Sequence, residues 1–150
     1  LGYEIPCAGK NNRGCATARG TQDVVGYFNF DNFARSMPET KINTTLEWTN
    51  DNHKLALLMF YVSDYETTRS IPDPARAAGY SNKVDSWSTL DIQYSYQLKF
   101  QGIDTTLTVG AKNLTDEKAP KVYDAANYSY DAKQHDPRGQ IWYLQLRAAF

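Results

Sequence analysis

One run constrains this chain more than any other. Leu90, Ile92, Tyr94, Tyr96, Leu98 and Phe100 share one parity, while Thr89, Asp91, Gln93, Ser95, Gln97 and Lys99 share the other. A period of two places the first set on one face of a strand and the second on the opposite face. Ser88 to Phe100 is 13 residues, or about 43 Å at ~3.3 Å per residue. Strands of soluble proteins average about 5–6 residues. Tilted by ~40°, this one rises ~33 Å and clears an apolar layer of about 25 Å.

Its neighbours repeat the pattern. Gln101-Gly102 turns the chain into Ile103, Thr105, Leu107, Val109 and Ala111, opposed by Asp104, Thr106, Thr108 and Lys112. Upstream, Ile42, Thr44, Leu46 and Trp48 alternate with Lys41, Asn43, Thr45, Glu47 and Thr49. Asn50-Asp51-Asn52 then leads to a return strand, Lys54 to Tyr65, in which Leu58, Phe60 and Val62 spoil the alternation. After Pro137-Arg138-Gly139, the even positions Trp142, Leu144, Leu146, Ala148 and Phe150 alternate with Gln145 and Arg147.

Five strands are therefore expected, at about 40–49, 54–65, 87–100, 103–113 and 139–150, with residues 1–38 mainly loop. The short connections at 50–52 and 101–102 alternate with long ones at 66–86 and 115–137. Short turns on one rim and long loops on the other describe a bacterial outer-membrane β-barrel. The fold class expected is thus all-β, an antiparallel transmembrane barrel segment. Its lipid-facing set is Leu90, Ile92, Tyr94, Tyr96, Leu98, Leu107, Val109, Trp142, Leu144, Leu146 and Phe150. Five strands cannot close, because such barrels need about 8 at least and lipid satisfies no open edge. The chain is expected to be the last part of a larger barrel. The mean hydropathy of −0.61 does not argue against this, since alternation hides lipid-facing residues from an average. The longest apolar run, Leu55 to Val62, has eight residues, too few for a membrane helix of about 18 or more.

Val109-Gly110-Ala111-Lys112-Asn113-Leu114-Thr115-Asp116, a loop, Pro137-Arg138-Gly139 and a terminal Phe150 follow one another in order. This resembles the C-terminal end of a TonB-dependent outer-membrane receptor, in which a Gly-x-x-Asn-Leu-x-Asp segment, a loop, a Pro-Arg-Gly turn and a terminal Phe close the barrel. Thr115 stands where that family often carries Phe. The resemblance runs from about Asn29 onward and implies a barrel of about 22 strands. It implies energised uptake of a scarce nutrient such as a ferric siderophore, cobalamin or an oligosaccharide. The implied partners are the rest of the barrel and its plug, TonB acting through an upstream region, and outer-membrane lipid. No catalysis, cofactor or metal is implied.

Sixteen basic against seventeen acidic residues leave a net charge of −1, so there is no electrostatic footprint for nucleic acid. Hydrolase, zinc-protease and nucleotide-binding motifs are absent from the sequence. Eleven tyrosines suit an interface with one apolar and one wet side. The loop Tyr123 to Asp136 gathers Tyr123, Tyr128, Tyr130, Asp131 and His135, the candidate ligand-binding residues, because planar aromatics beside polar partners recognise sugars and aromatic chelates. The plainer reading is an interfacial tyrosine belt plus solvated acids, with His135 a loop-surface histidine, and His53 reads as a solvated residue beside a turn. Cys7 and Cys15 fit no zinc or redox spacing. In an oxidising compartment they would form a disulfide; otherwise they are two free thiols. The rival reading of the whole chain is a secreted β-sandwich that binds carbohydrate through the tyrosine-rich loop.

Overall fold

The computed structural model describes residues 4–6, 21–29, 34–123 and 129–149 of the chain. Among these residues the protein is all-β apart from one short helix. The short strands are β1 (Glu4–Pro6), β2 (Thr21–Asp23), β3 (Tyr27–Asn29), β4 (Arg35–Met37), β7 (Tyr65–Thr67) and β8 (Lys83–Val84). The long ones are β5 (Lys41–Asn50), β6 (His53–Val62), β9 (Trp87–Phe100), β10 (Ile103–Lys112) and β11 (Ile141–Ala149), and the helix is α1 (Asp73–Ala77). The chain forms two compact units. One, the sheet unit, comprises Ile42–Tyr61, Ser88–Lys118 and Arg138–Phe150. The other, the loop unit, comprises Leu1–Lys41, Val62–Trp87 and Ala119–Pro137.

The sheet unit carries a five-stranded sheet in the order β11-β10-β9-β6-β5. Strands adjacent in sequence are adjacent in space, so the sheet is an up-and-down meander. It is open, with β5 and β11 at its edges. At the β9–β10 turn Gln101 and Gly102 both have positive φ, 51° and 82°. That is the type I′ arrangement, whose twist matches the strands it joins. The register pairs Leu98 with Thr105, Tyr96 with Leu107, Tyr94 with Val109 and Ile92 with Ala111. On the other side of β10, Thr105 pairs with Ala148, Leu107 with Leu146, Val109 with Leu144 and Ala111 with Trp142. Partners directly opposite share a face, so the alternation read strand by strand lines up across three strands.

Gly110 has a packing role in this sheet. It lies between Gln93 and Tyr143, and the Tyr143 ring crosses it to donate a hydrogen bond to Gln93 at 2.9 Å. A Cβ at residue 110 would sit 2.5 Å from that ring and 2.8 Å from the Ile92 carbonyl oxygen. A glycine inside a strand here marks a close approach, as such glycines often do.

One strand end and two loop readings differ from expectation. β6 ends at Val62, not Tyr65, because Ser63 turns back onto Thr40: its N–H donates to the Thr40 carbonyl at 2.9 Å, and its hydroxyl accepts from the Thr40 N–H at 3.1 Å. Tyr65 instead opens β7 in another sheet. The stretches 1–38 and 66–86, read as loop, contain β1 to β4, β7 and β8 together with α1.

In the loop unit β3 pairs antiparallel with β4 and parallel with β7, which pairs antiparallel with β8. Phe28, Val62, Tyr65, Val84, Trp87 and Val122 form its apolar core. Two buried or half-buried amides staple the irregular backbone around that core. The Asn29 side chain donates to the carbonyls of Val24, Tyr27 and Arg35 at 2.8–3.2 Å. The Asn82 side chain donates to those of Thr67 and Arg69 at 3.0 Å and accepts from Arg76 at 3.1 Å. Without regular ladders, side-chain amides must satisfy buried backbone groups.

Candidate functional site

The sheet unit presents two unlike faces. On one, Leu144, Leu146 and Trp142 are 73%, 70% and 63% exposed. Leu107, Val109 and Tyr94 beside them are also exposed, and Ile92, Tyr96 and Leu98 are half-buried. Of the expected lipid-facing set, these nine occupy one face by register, and Leu90 has their parity on β9. Phe150 lies outside the described residues. Leu46, Trp48, Ile42 and Met59 are further exposed apolar side chains of the unit. His53, read as a solvated residue, is half-buried on this face. Its Nδ1 lies 2.6 Å from the Tyr94 hydroxyl, and its ring centroid is 4.8 Å from that of Tyr96.

The opposite face is polar. Ser95 and Thr108, direct register partners, share a hydroxyl hydrogen bond of 2.9 Å. Lys99 and Asp104 form an ion pair at 3.1 Å, as do Lys54 and Glu47. Gln97, Thr106 and Arg147 form one cross-strand row. With Asn52, Lys99 and Asp104 they line an open groove that sequence reading did not single out. Period-2 parity identifies such residues as polar-facing but does not say which of them sit in one row.

The motif carrying the family resemblance forms a built corner. Asn113, with φ 48°, accepts the Glu117 N–H through its side chain at 2.9 Å and donates to the Glu117 carbonyl at 2.8 Å. Its own N–H donates to Asp91 at 2.8 Å. Asp116 accepts the Gln140 N–H at 2.9 Å, and the Gln140 side chain donates to the Leu114 carbonyl at 2.7 Å. Gly139 has φ 70°, and a Cβ there would lie 2.7 Å from the Asp116 carboxylate. The Asn-Leu-Thr-Asp and Pro-Arg-Gly segments thus meet, and each glycine or acid in them has a contact that needs it. Lys118, and then the Gln140 N–H, hold the Asp116 carboxyl below the usual carboxylate range.

The tyrosine-rich loop behaves differently from expectation. Asp131 and His135, expected at a loop surface, are only 1% and 4% exposed. Asp131 accepts the Tyr65 hydroxyl at 2.9 Å and the Lys133 N–H at 3.0 Å, and its carbonyl accepts the His135 N–H at 2.9 Å. The His135 ring stacks on Tyr65 with centroids 6.1 Å apart and meets the Trp87 ring edge-on at 5.5 Å. Neither ring nitrogen of His135 has a hydrogen-bond partner. Burial lowers the His135 pKa to about 4, more than neighbouring Asp131 raises it; Lys41 lowers it further. Burial first, then Asp131, pushes the Tyr65 hydroxyl well above the usual range, so it stays a donor.

Tyr123 and Tyr130 are half-buried. The Arg69 guanidinium lies 5.0 Å from the Tyr123 ring centroid, and Tyr80 meets that ring edge-on at 5.6 Å. Tyr128, Cys7 and Cys15 lie outside the described residues. Sequence reading missed Tyr65 and Trp87 as partners of Asp131 and His135. Among the described residues no group of three or more His, Cys, Asp or Glu side chains is placed to hold a metal ion. Comparison of the chain with protein-family models, with curated proteins and with solved structures finds no match.

Proposed function

We propose that the sheet unit is a stretch of wall from an outer-membrane β-barrel. The barrel belongs to a TonB-dependent receptor that takes up a scarce nutrient of the ferric siderophore, cobalamin or oligosaccharide kind. One observation carries this reading: a face of aligned Trp, Leu, Val and Tyr side chains stands exposed, while the reverse of the same strands carries Gln, Thr, Ser, Lys and Arg. Soluble proteins rarely leave so continuous an apolar face bare. Hydrocarbon is a solvent that suits it, and a wet lumen suits the reverse face. In this reading further strands pair with β5 and β11, since lipid satisfies no open edge. The corner formed by Asn113, Asp116, Gly139 and Gln140 supports the reading by giving the Asn, the Asp and the Gly of the resembling motif a structural role. Tyr123 and Tyr130 remain the residues of the loop proposed to meet the nutrient, whereas Asp131 and His135 serve to hold that loop. The wall itself conducts and positions; it performs no catalysis.

The test uses single cysteines at Leu144 and Gln145 of this chain, each carrying a fluorophore, within the complete barrel that the reading requires and with Cys7 and Cys15 replaced by serine, in bilayers doped with lipids spin-labelled along their tails. Quenching at residue 144 and not at 145 is expected. Equal quenching at both, or none at either, would remove this strand from the membrane and favour a soluble sandwich.

A further inference from the structure

The loop unit contains a buried histidine with no polar partner, placed where it fastens one chain segment to a core. His135 is buried with its ring stacked on Tyr65 and edge-on to Trp87, both members of the apolar core of that unit. Its backbone N–H is fixed by the Asp131 carbonyl, and the neighbouring Gln134 side chain reaches Ser36 of β4 at 3.0 and 3.2 Å. Residues 129–137 are held by ring stacking, the Asp131 carboxylate and the Gln134 amide, and at their start by the Ser129 carbonyl, which accepts the Val122 N–H at 2.8 Å. We infer that this arrangement is an acid-opened latch: protonation of His135 expels its ring from its contacts with Tyr65 and Trp87 and frees residues 129–137 from the core.

The chemistry follows from what surrounds the ring. A neutral imidazole buried here forgoes one donor and one acceptor bond, whereas an imidazolium would forgo partners for two N–H donors and the hydration of a full charge, a far larger cost. Here neither nitrogen has a partner. The ionisable groups acting on the ring are Tyr65, Asp131 and Lys41. Tyr65 is neutral. The Asp131 carboxylate favours the imidazolium, but the Tyr65 hydroxyl and the Lys133 N–H already occupy it. Lys41 repels the imidazolium. The sign of the pH effect is then fixed. The unfolded segment takes up its proton near 6.5, and the folded one near 4. Between those values the open form binds more protons, so the latch weakens as pH falls through that interval.

The experiment measures hydrogen exchange of peptides covering 129–137 in the full chain, between pH 7.5 and 4.5, corrected for the intrinsic pH dependence of exchange. Protection in the wild-type chain is expected to fall at least tenfold on acidification. In His135→Phe, which keeps a ring and loses the proton, it is expected to stay constant. Should His135→Phe lack protection even at pH 7.5, ring NMR of the wild-type chain decides. The chain has two histidines, and loss of protection must track protonation of His135. Unchanged protection at pH 4.5, acid opening that persists in a folded His135→Phe, or a His135 ring that titrates at an ordinary value without loss of protection would each overturn the latch.

Discussion

The two units are held together by opposite means. In the sheet unit most structure is ladder: each long strand pairs with its sequence neighbour, and side chains add little except at the corner near Asp116 and the crossing of Tyr143 over Gly110. Its apolar side chains face outward. In the loop unit the strands are two or three residues long, apolar side chains face inward, and buried polar groups bind distant segments to one another. The Tyr65–Asp131 bond spans 66 positions and the Gln134–Ser36 bond spans 98. A regular sheet satisfies its own backbone and leaves its side chains free to suit the solvent on either face. An irregular unit must use its side chains on itself. Mutations should therefore act through the surroundings in one unit and through internal contacts in the other.

The largest effect expected is at Leu144. In water, replacing so exposed a leucine by arginine would cost almost nothing. At mid-bilayer the same change costs about 2–4 kcal/mol. Leu144→Arg in the complete barrel that contains this chain should therefore sharply lower folded yield in lipid, while Gln145→Arg, on the opposite face, should leave it unchanged. Folding yields measured in vesicles over a urea series would decide. Equal yields for the two variants would mean that the apolar face meets no lipid.

The next pair compares one polar contact from each unit. Asp131→Ala leaves the buried Tyr65 hydroxyl without an acceptor and also removes the acceptor of the part-buried Lys133 N–H, at a cost of about 1–3 kcal/mol. Adding Tyr65→Phe should recover part of that, because the orphaned hydroxyl is then gone. Ser95→Ala removes a cross-strand hydroxyl pair in the sheet, and such pairs contribute about 0.2–1 kcal/mol. Denaturant midpoints of the full chain should therefore rank Asp131→Ala well below Ser95→Ala. The reverse order would end the claim that the loop unit depends on its buried polar contacts.

How legible each unit was follows from the same contrast. The faces of β9, β10 and β11 could be read from parity, because a strand fixes side-chain direction locally and a meander joins neighbours in sequence. Gly110 carried a weaker signal: a glycine inside an alternating strand points to a close approach, though not to Tyr143. The loop unit offered no such period. A strand of three residues, such as Tyr65–Thr67, is too short to show alternation, and its partners are distant in sequence. His135 sits among Lys133, Gln134, Asp136 and Pro137, a composition typical of surface loop, yet its ring is interior because Tyr65 and Trp87 arrive from elsewhere. The Pro137–Gly139 segment could be read as a turn and Asn113–Asp116 as a strand end running into a polar loop. Their contact through Gln140 needed coordinates.

The smallest effect expected is at that contact. Asp116 is exposed, and its carboxylate holds two donors, the Lys118 ammonium and the Gln140 N–H. Both favour the ionised form, so the folded carboxyl releases its proton at lower pH than the unfolded one. The contribution of this group is complete above the ordinary carboxylate range and is lost as pH falls through the lower folded value. Solvent screens an exposed pair, so global stability should barely change in Asp116→Asn, whose amide oxygen still accepts from Gln140. The sensitive readout is local. In the wild-type chain the Gln140 amide proton should shift with pH at a midpoint below the ordinary carboxylate value, and in Asp116→Asn that titration should vanish. A flat Gln140 resonance in the wild type, or a midpoint at the ordinary value, would show that the corner is held by Gly139 and the Asn113 turn without help from the charge.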